Sequence, residues 1–419
     1  MKNLTDYVRG KVASAKSASI HLALVSSADK NKALYKMADS LLLNRDKIIN
    51  ANKKDIVCAV KNKLSAALID RLTLTEPRIE SMASGLKYVA CLKDPVGDVI
   101  EHYKTSSGLR IKRVRVPIGV IAMIYESRPN VTADSVGLCI KSGNAIVLRG
   151  GSEAINSNKI IATILRKSAN SAGLPEGCIQ FIEDTDRKIV SELIRQRQFI
   201  DCIIPRGGEG LINYIRDNSS IPVISHGKGV CHTYVDMYAD LKKAVAICLN
   251  AKVQRPGVCN AMETLLVHKN AAKKFLPAMM KEFEKERVEV RGCKLTKKIL
   301  KNVKEASAAD WYAEYLDLIV SVKIVSSCDD AIKHIQKYGS HHSDAIVTEN
   351  KRNAEKFLKG VDSAAVYLNA STRFTDGGEF GMGAEIGIST QKFHARGPMG
   401  LKELTSYKFI VEGKGQIRR

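Results

Sequence analysis

Ala33, Leu34, Met37, Ala38, Leu41 and Leu42 recur at three- and four-residue spacing, with Lys, Asp and Asn between them. That is the period of a helix with one buried face, and the same pattern predicts helices from Leu4 to about Ala90. Asp94-Pro-Val-Gly breaks the period. From Val99 to Val116 apolar and charged residues mix in an extended arm, with Ile111, Val114 and Val116 among its apolar positions.

From Gly119 onward short apolar runs alternate with helical stretches. Gly119 to Tyr125 reads as a buried strand, Thr132 to Lys141 as a helix closed by Gly143, and Ala145 to Arg149 as a second strand. Gly150-Gly151-Ser152 opens a helix to about Ala172, which Gly173 and Pro175 end. Ile179 to Glu183, Ile200 to Pro205 and Ile221 to Ser225 are further strands. Helices through Ile189 and Leu193 and through Tyr214 separate them. Strands joined by helical crossovers predict an α/β fold on a doubly wound parallel sheet, whose ligands lie beyond the strands' carboxyl ends. Two of those ends carry glycine pairs, Gly150-Gly151 and Gly207-Gly208, directly before helices. Unpaired N–H groups and the helix dipole suit a phosphate or pyrophosphate there. Neither G-x-G-x-x-G nor a P-loop occurs.

A helix from Leu241 to Ala251 leads into Gln254-Arg-Pro-Gly-Val-Cys259. Pro256 and Gly257 interrupt it, so Cys259 arrives on a turn ahead of the apolar run Leu265 to Val267. A cysteine at the positive end of a helical turn favours the thiolate, the attacking form, which makes Cys259 a candidate nucleophile. Cysteine is also a common core residue, and this chain has ten. A glycine-dense loop follows from Asp376 to Gly387. The alternating strand Tyr407 to Val411 closes the chain and, with the arm near Ile111, is a candidate dimer contact.

At 419 residues, 45% hydrophobic and 26% charged, the chain reads as a globular protein of two or three domains. No apolar run approaches the roughly 20 residues that span a bilayer, the first residues hold no apolar signal core, and no cysteines are spaced C-x-x-C. The expectation is a cytoplasmic protein with reduced thiols, no metal and no membrane contact. A net charge of +22 raises nucleic-acid binding. The lysines are spread among acids, however, and aromatic residues are only 5%, so solvated helix faces and attraction of anionic ligands explain the charge without a nucleic-acid partner.

Six strings stand in one order: Tyr125-Glu-Ser-Arg-Pro-Asn-Val-Thr132, Leu148-Arg-Gly-Gly-Ser-Glu153, Ile204-Pro-Arg-Gly-Gly208, Cys231-His-Thr-Tyr-Val-Asp236, Gln254-Arg-Pro-Gly-Val-Cys-Asn-Ala261 and Phe393-His-Ala-Arg-Gly-Pro-Met-Gly400. They resemble the aldehyde dehydrogenase superfamily, in its branch that reduces an acyl phosphate, from about residue 12 to the C-terminus. The resemblance implies an NADPH-binding domain (1–100 and 116–225), a catalytic domain (226–385) and a small β oligomerisation arm (101–115 and 403–419). The implied reaction is NADPH-dependent reduction of L-glutamyl 5-phosphate to L-glutamate 5-semialdehyde, with phosphate released through a thioester on Cys259. This is the second step of proline biosynthesis from glutamate. The alternative is another NAD(P)-dependent member acting on a different acyl phosphate or aldehyde.

By the same resemblance, the Asn130 amide and the Cys259 N–H are the oxyanion donors. Arg149, Gly150, Gly151 and Ser152 lie at the adenine ribose, Gly207 and Gly208 by the pyrophosphate, and Glu314 at the nicotinamide ribose. Arg149 stands where the superfamily has a cation, while the nearby acid is replaced by Gly151 or Ser152, which favours a 2'-phosphate and hence NADPH. Arg128, His226, Arg255 and Arg373 are candidate substrate contacts. The glutamate with which oxidising members activate water is missing from Ile224-Ser-His226-Gly-Lys-Gly229, in keeping with a reductase that must not hydrolyse its thioester. A homo-oligomer and a partnership with glutamate 5-kinase are further expectations. Two other classes compete. A cysteine hydrolase needs a histidine base and an orienting acid near Cys259, and a basic binding protein loses its activity steeply with salt.

Overall fold

The amphipathic N-terminal pattern folds as five helices: α1 (Leu4–Leu22), α2 (Ser27–Leu43), α3 (Arg45–Lys61), α4 (Ala66–Leu72) and α5 (Glu76–Cys91). Local chemistry sets their ends. The Ser26 hydroxyl accepts the Asp29 N–H at the start of α2, and α5 carries Pro77 as its second residue, where the missing N–H is unneeded in a first turn. The structure is a computed structural model that describes residues 4–225 and 227–418. It divides into two units. The first runs to Ser225 and adds Gly381–Gly387 and Met399 onward; the second holds His226–Phe380 and Ile388–Pro398. Among the described residues no helix is long and apolar enough to cross a membrane.

The first unit continues with β1 (Val99–Lys104), β2 (Arg110–Pro117), β3 (Val120–Tyr125), α6 (Asn130–Lys141), β4 (Ala145–Gly150), α7 (Ile155–Ser171), β5 (Ile179–Phe181), α8 (Lys188–Leu193), β6 (Cys202–Arg206) and α9 (Glu209–Asn218). Strands β5-β4-β3-β6 form one parallel sheet, as the alternating pattern predicts. Every residue of β3 and β4 is buried. The stripe Val8, Val12 and Ala15 of α1 packs in one core with Val120, Ala122, Ile124, Ala145 and Val147. Each large apolar side chain so buried contributes about 1.5–3 kcal/mol.

Two expectations change. The arm from Val99 to Val116 is not one extended segment: β1 and β2 are an antiparallel hairpin, reversed where Gly108 takes φ +87. Ile221 to Ser225 is no full strand either. Val223 makes a single parallel bridge with Ile203, and the Pro222 carbonyl and Ile224 N–H serve Ile203 from either side. Pro222 brings no N–H of its own to extend the ladder.

The second unit is built from β7 (Cys231–Val235), α10 (Leu241–Val253), β8 (Met262–His268), α11 (Lys269–Lys285), β9 (Glu289–Gly292), α12 (Lys294–Ile299), β10 (Lys304–Glu305), β11 (Ile319–Val325), α13 (Cys328–Tyr338), β12 (Ser343–Val347), α14 (Lys351–Gly360), β13 (Ala365–Leu368), β14 (Ile388–Ser389) and β15 (Gly397–Pro398). Its seven-stranded parallel sheet has the order β10-β9-β11-β8-β7-β12-β13. One core, with Phe275, Leu276, Met279 and Phe283 of α11, packs Leu265 and Val267 of β8; a second, with Ile332, Ile335 and Phe357 of α13 and α14, packs Leu266. Strand β8 is therefore buried from both faces. The closing strand β16 (Thr405–Glu412) belongs to the first unit and pairs antiparallel with β2, so that β1-β2-β16 is a separate three-stranded sheet with β16 at its edge.

Candidate active site

Asp240 starts α10, its carboxylate accepting the N–H groups of Lys242 (2.9 Å) and Lys243 (3.1 Å). The helix ends at Val253, ahead of Pro256, and Cys259 follows in the turn before β8. No helix begins at Cys259, which corrects the expectation that a helix dipole acidifies this thiol. The next element is a strand because residues 262–268 are drawn into the middle of the parallel sheet, where every one is buried.

Positive charge near the thiol comes from side chains instead. Burial is the first reason why the Arg373 guanidinium sits below its ordinary pKa; the Arg255 cation adds to the effect, and the negative charge of Cys259 opposes it. Arg373 thus lies within electrostatic reach of both Arg255 and Cys259.

The backbone around Cys259 is held by groups to which the sequence assigned no role, together with Arg373. The Cys231 thiol donates to the Cys259 carbonyl at 3.1 Å. Asn260 donates its amide to the Thr375 carbonyl (2.9 Å), accepts the Thr372 hydroxyl on its own carbonyl (2.7 Å) and takes the Arg373 guanidinium on Oδ1. The Thr375 hydroxyl joins Ser343 (2.6 Å) and Tyr367 (2.7 Å), and Ser343 joins His342 Nδ1 (2.8 Å). Asn260 stands inside a recognised string, and that adjacency to Cys259 was its only signal. Thr372 and Thr375 had none.

Gly229 has a role that only packing shows. A Cβ there would lie 2.6 Å from the Cys259 Cα, closer than side chains approach backbone, while the Gly229 N–H donates to the Glu314 carboxylate at 2.8 Å. One residue without a side chain therefore sits between the nucleophile's backbone and Glu314. Gly229→Ala should displace the Cys259 turn, lose about 1–3 kcal/mol of stability, and lower kcat far more than it raises KM; thermal unfolding and steady-state kinetics check this. Unchanged kinetics would show that the turn tolerates the shift.

Glu314 is reached from a second side. Leu316, at φ +53, donates its N–H to Glu263 Oε1 (3.3 Å), and the other oxygen of Glu263 takes Lys252 Nζ at 2.6 Å. Both side chains of this ion pair are fully buried. Burial pushes the Glu263 carboxyl up to about 7, with Lys252 opposing, and also lowers Lys252. The pair joins the end of α10 to the start of β8 and so closes the turn that carries Cys259.

In the first unit, Arg149, Gly151 and Ser152 line a cavity of about 630 Å³ beyond the carboxyl ends of the parallel strands, together with Glu126, Glu153, Arg187 and Lys188. Arg149 donates to the Thr185 carbonyl at 3.0 Å, and among the described residues its buried Nε has no partner. Burial lowers its pKa, with Glu153 and Glu126 opposing. An anion beside Arg149 satisfies that N–H, so the residues fit a phosphate-bearing cofactor. Arg187 and Lys188 were missed, although a basic pair soon after a strand's carboxyl end was legible in the chain.

The glycines divide. Gly151 lines the cavity, whereas Gly150 does not: its missing side chain admits the Asn158 amide, and Tyr125 lies 3.3 Å from where a Cβ would stand. Gly208 presents its N–H at the start of α9, where the Glu126 carboxylate takes it at 2.8 Å. That helix end is an anion site by construction. Acids stand close to Gly151 and Ser152 all the same. Glu126 and Glu153 both line the cavity, and Glu153 is held by the Ser127 N–H (2.5 Å) and hydroxyl (2.9 Å). Asn130 is the first residue of α6 and donates its amide to Asp134 at 2.8 Å. Arg128 lies in the turn between β3 and α6. His226 lies outside the described residues.

A turn that carries Cys259 into one parallel sheet, and a cavity of about 630 Å³ beyond the strands of another, are the features that the comparisons place in a class. Residues 4–297 match the aldehyde dehydrogenase family, and the chain belongs to it. Its relatives narrow the class. The chain is 60% identical over 412 residues to the gamma-glutamyl phosphate reductase of Caldanaerobacter subterraneus, covering 98% of this chain and all of that one. It is 54% identical to that of Clostridium acetobutylicum, with both chains covered in full. The crystal structure of gamma-glutamyl phosphate reductase from Thermotoga maritima superposes with a TM-score of 0.97 at 52% identity, covering 98% of this chain and all of that one.

Proposed function

We propose that the chain reduces L-glutamyl 5-phosphate to L-glutamate 5-semialdehyde and phosphate with NADPH, the second step of proline biosynthesis, through a thioester on Cys259. The observation that carries this reading is Cys259 on the turn before β8, with Arg373 bound to the next residue, Asn260, in a chain whose full-length relatives bear that enzyme's name. The Arg373 cation stabilises the thiolate and, with Arg255 near it, draws the doubly charged acyl phosphate in. The sulfur attacks the acyl carbon, and the Cys259 N–H donates to the oxyanion, contributing about 3 kcal/mol. Collapse of the tetrahedral adduct expels phosphate and leaves the thioester. The dinucleotide, when bound, supplies the hydride that reduces it. Arg149, Arg187 and Lys188 would hold its phosphates.

The reverse assay tests the reading. Glutamate 5-semialdehyde is expected to reduce NADP only when phosphate is present, and faster than it reduces NAD. Equal rates without phosphate would mean that water takes the acyl group. Arg149→Ala should raise KM for NADPH about tenfold more than KM for NADH, since it removes one charged partner of the 2'-phosphate. Equal effects would remove the 2'-phosphate argument. Strand β16 is exposed along Ser406–Glu412 and free at its outer edge among the described residues, which supports its role as the contact with a second copy.

A further inference from the structure

A cavity of about 520 Å³ opens on the second unit between α13, the carboxyl half of β11 and the first residue of α11. Cys259 precedes the amino end of β8 and Lys269 follows its carboxyl end, so the length of that strand, roughly 20 Å, lies between the nucleophile and this end of the cavity. Lys269, Lys323, Lys333 and Lys337 line it against one acid, Asp330, whose carboxylate is held by the Ser326 hydroxyl. Elsewhere on this unit Lys243, Lys285, Lys297, Lys304 and Lys356 are ion-paired. Among the described residues none of the four cavity lysines is.

Lys323 rests on what is left. Its ammonium lies 3.1 Å from His334 Nδ1 and over the rings of Trp311 (5.4 Å) and Tyr338 (5.8 Å), while Lys337 lies 5.1 Å over Tyr338. His334 is only 4% exposed, and its Nε2 has no hydrogen-bond partner. Burial, with the cations around it, holds this imidazole far below its ordinary pKa. It therefore accepts the Lys323 proton at Nδ1 and carries its own on Nε2, as an unused donor. Leu295, Ile324, Val325 and Tyr338 complete an apolar wall. Lys323 and Lys333 act on the Asp330 carboxylate, but four ammonium groups against one acid leave an excess of positive charge that a bound anion relieves, and lysine serves phosphate as a point charge.

We propose that this cavity binds a small organic phosphate, the phosphate held among the four lysines and the organic part on the Leu295, Ile324 and Tyr338 wall. The proposal does not depend on the reaction assigned to Cys259. Trp311, the one tryptophan of the chain, packs edge-on against His334 and under Lys323, so its emission reports this cavity.

The test titrates phenyl phosphate, inorganic phosphate and phenol into the wild type and into the variant Lys333→Glu/Lys337→Glu, by Trp311 fluorescence and by calorimetry. Both lysines are exposed on α13, and the variant should keep the wild-type rate in the reverse assay. Phenyl phosphate is expected to saturate, inorganic phosphate to bind more weakly and phenol not at all. The variant should lose one calorimetric site per chain, or bind there at least about tenfold more weakly, because two cations become anions. Heat that persists unchanged in the variant belongs to another site and overturns the proposal. No saturable binding to the wild type, or phenol binding as tightly as phenyl phosphate, would also overturn it.

Discussion

Cys259→Ala is expected to stop the phosphate-dependent reduction of NADP by glutamate 5-semialdehyde, with a loss of at least about 10⁴-fold in kcat. No other group in the turn can carry the acyl intermediate: Cys231 is fully buried, and burial holds its thiol well above the ordinary range. The variant should fold and still bind dinucleotide, because Arg149 and its cavity belong to the other unit. Stopped assays for semialdehyde consumption, with dinucleotide binding followed by fluorescence, separate the two effects. A rate within tenfold of the wild type would remove the thioester. A variant that kept its activity but lost it steeply with salt would be a basic binding protein, and release of glutamate without NADPH would mark a hydrolase.

The second large effect is expected at the buried pair. Glu263→Ala strands the Lys252 ammonium where no water reaches it, and such half-removed pairs lose about 3–5 kcal/mol. Many domains have little more stability than that. The double variant Lys252→Met/Glu263→Leu leaves no unpaired charge and should recover most of the loss in urea unfolding. Its kcat should stay low, since the Leu316 N–H, and with it the Glu314 loop, no longer has its acceptor. Full activity in the double variant would confine the pair to stability. The pH dependence has a definite sign. A carboxyl whose folded pKa is raised to about 7 from an ordinary 4.5 binds more protons folded than unfolded between those values. This group therefore makes the fold less stable as pH rises from about 4.5 to 7. Glu263→Gln should abolish that part of the slope.

Much of this architecture was written in periodicity. The three- and four-residue spacing from Leu4 to Ala90 became α1 to α5, and the apolar runs from Gly119 to Pro205 became the four strands of one parallel sheet. Both follow from which face of an element must leave water, a property local to the sequence. The arm near Ile111 was harder, because a hairpin and a single extended segment share the same alternation until Gly108 reverses the chain. Ile221 to Ser225 has strand composition, but the ladder is limited at Pro222.

The site divides in the same way. That Cys259 rides a turn followed from Pro256 and Gly257 alone, and its chemistry followed from strings whose order is specific. What surrounds the sulfur did not. Lys252 and Glu263 stand eleven positions apart, yet they face each other in the interior because α10 and β8 enclose the turn between them. Gly229 meets the Cys259 backbone, and Arg187 and Lys188 join Arg149, only through contacts between segments far apart in the chain. The sequence by itself determined the elements and the family, and it pointed to Cys259 as the candidate nucleophile, since these depend on local pattern. The tertiary structure alone decided which charges are buried, what packs against the Cys259 backbone, and that no helix begins there, because burial and distance are properties of the packed chain.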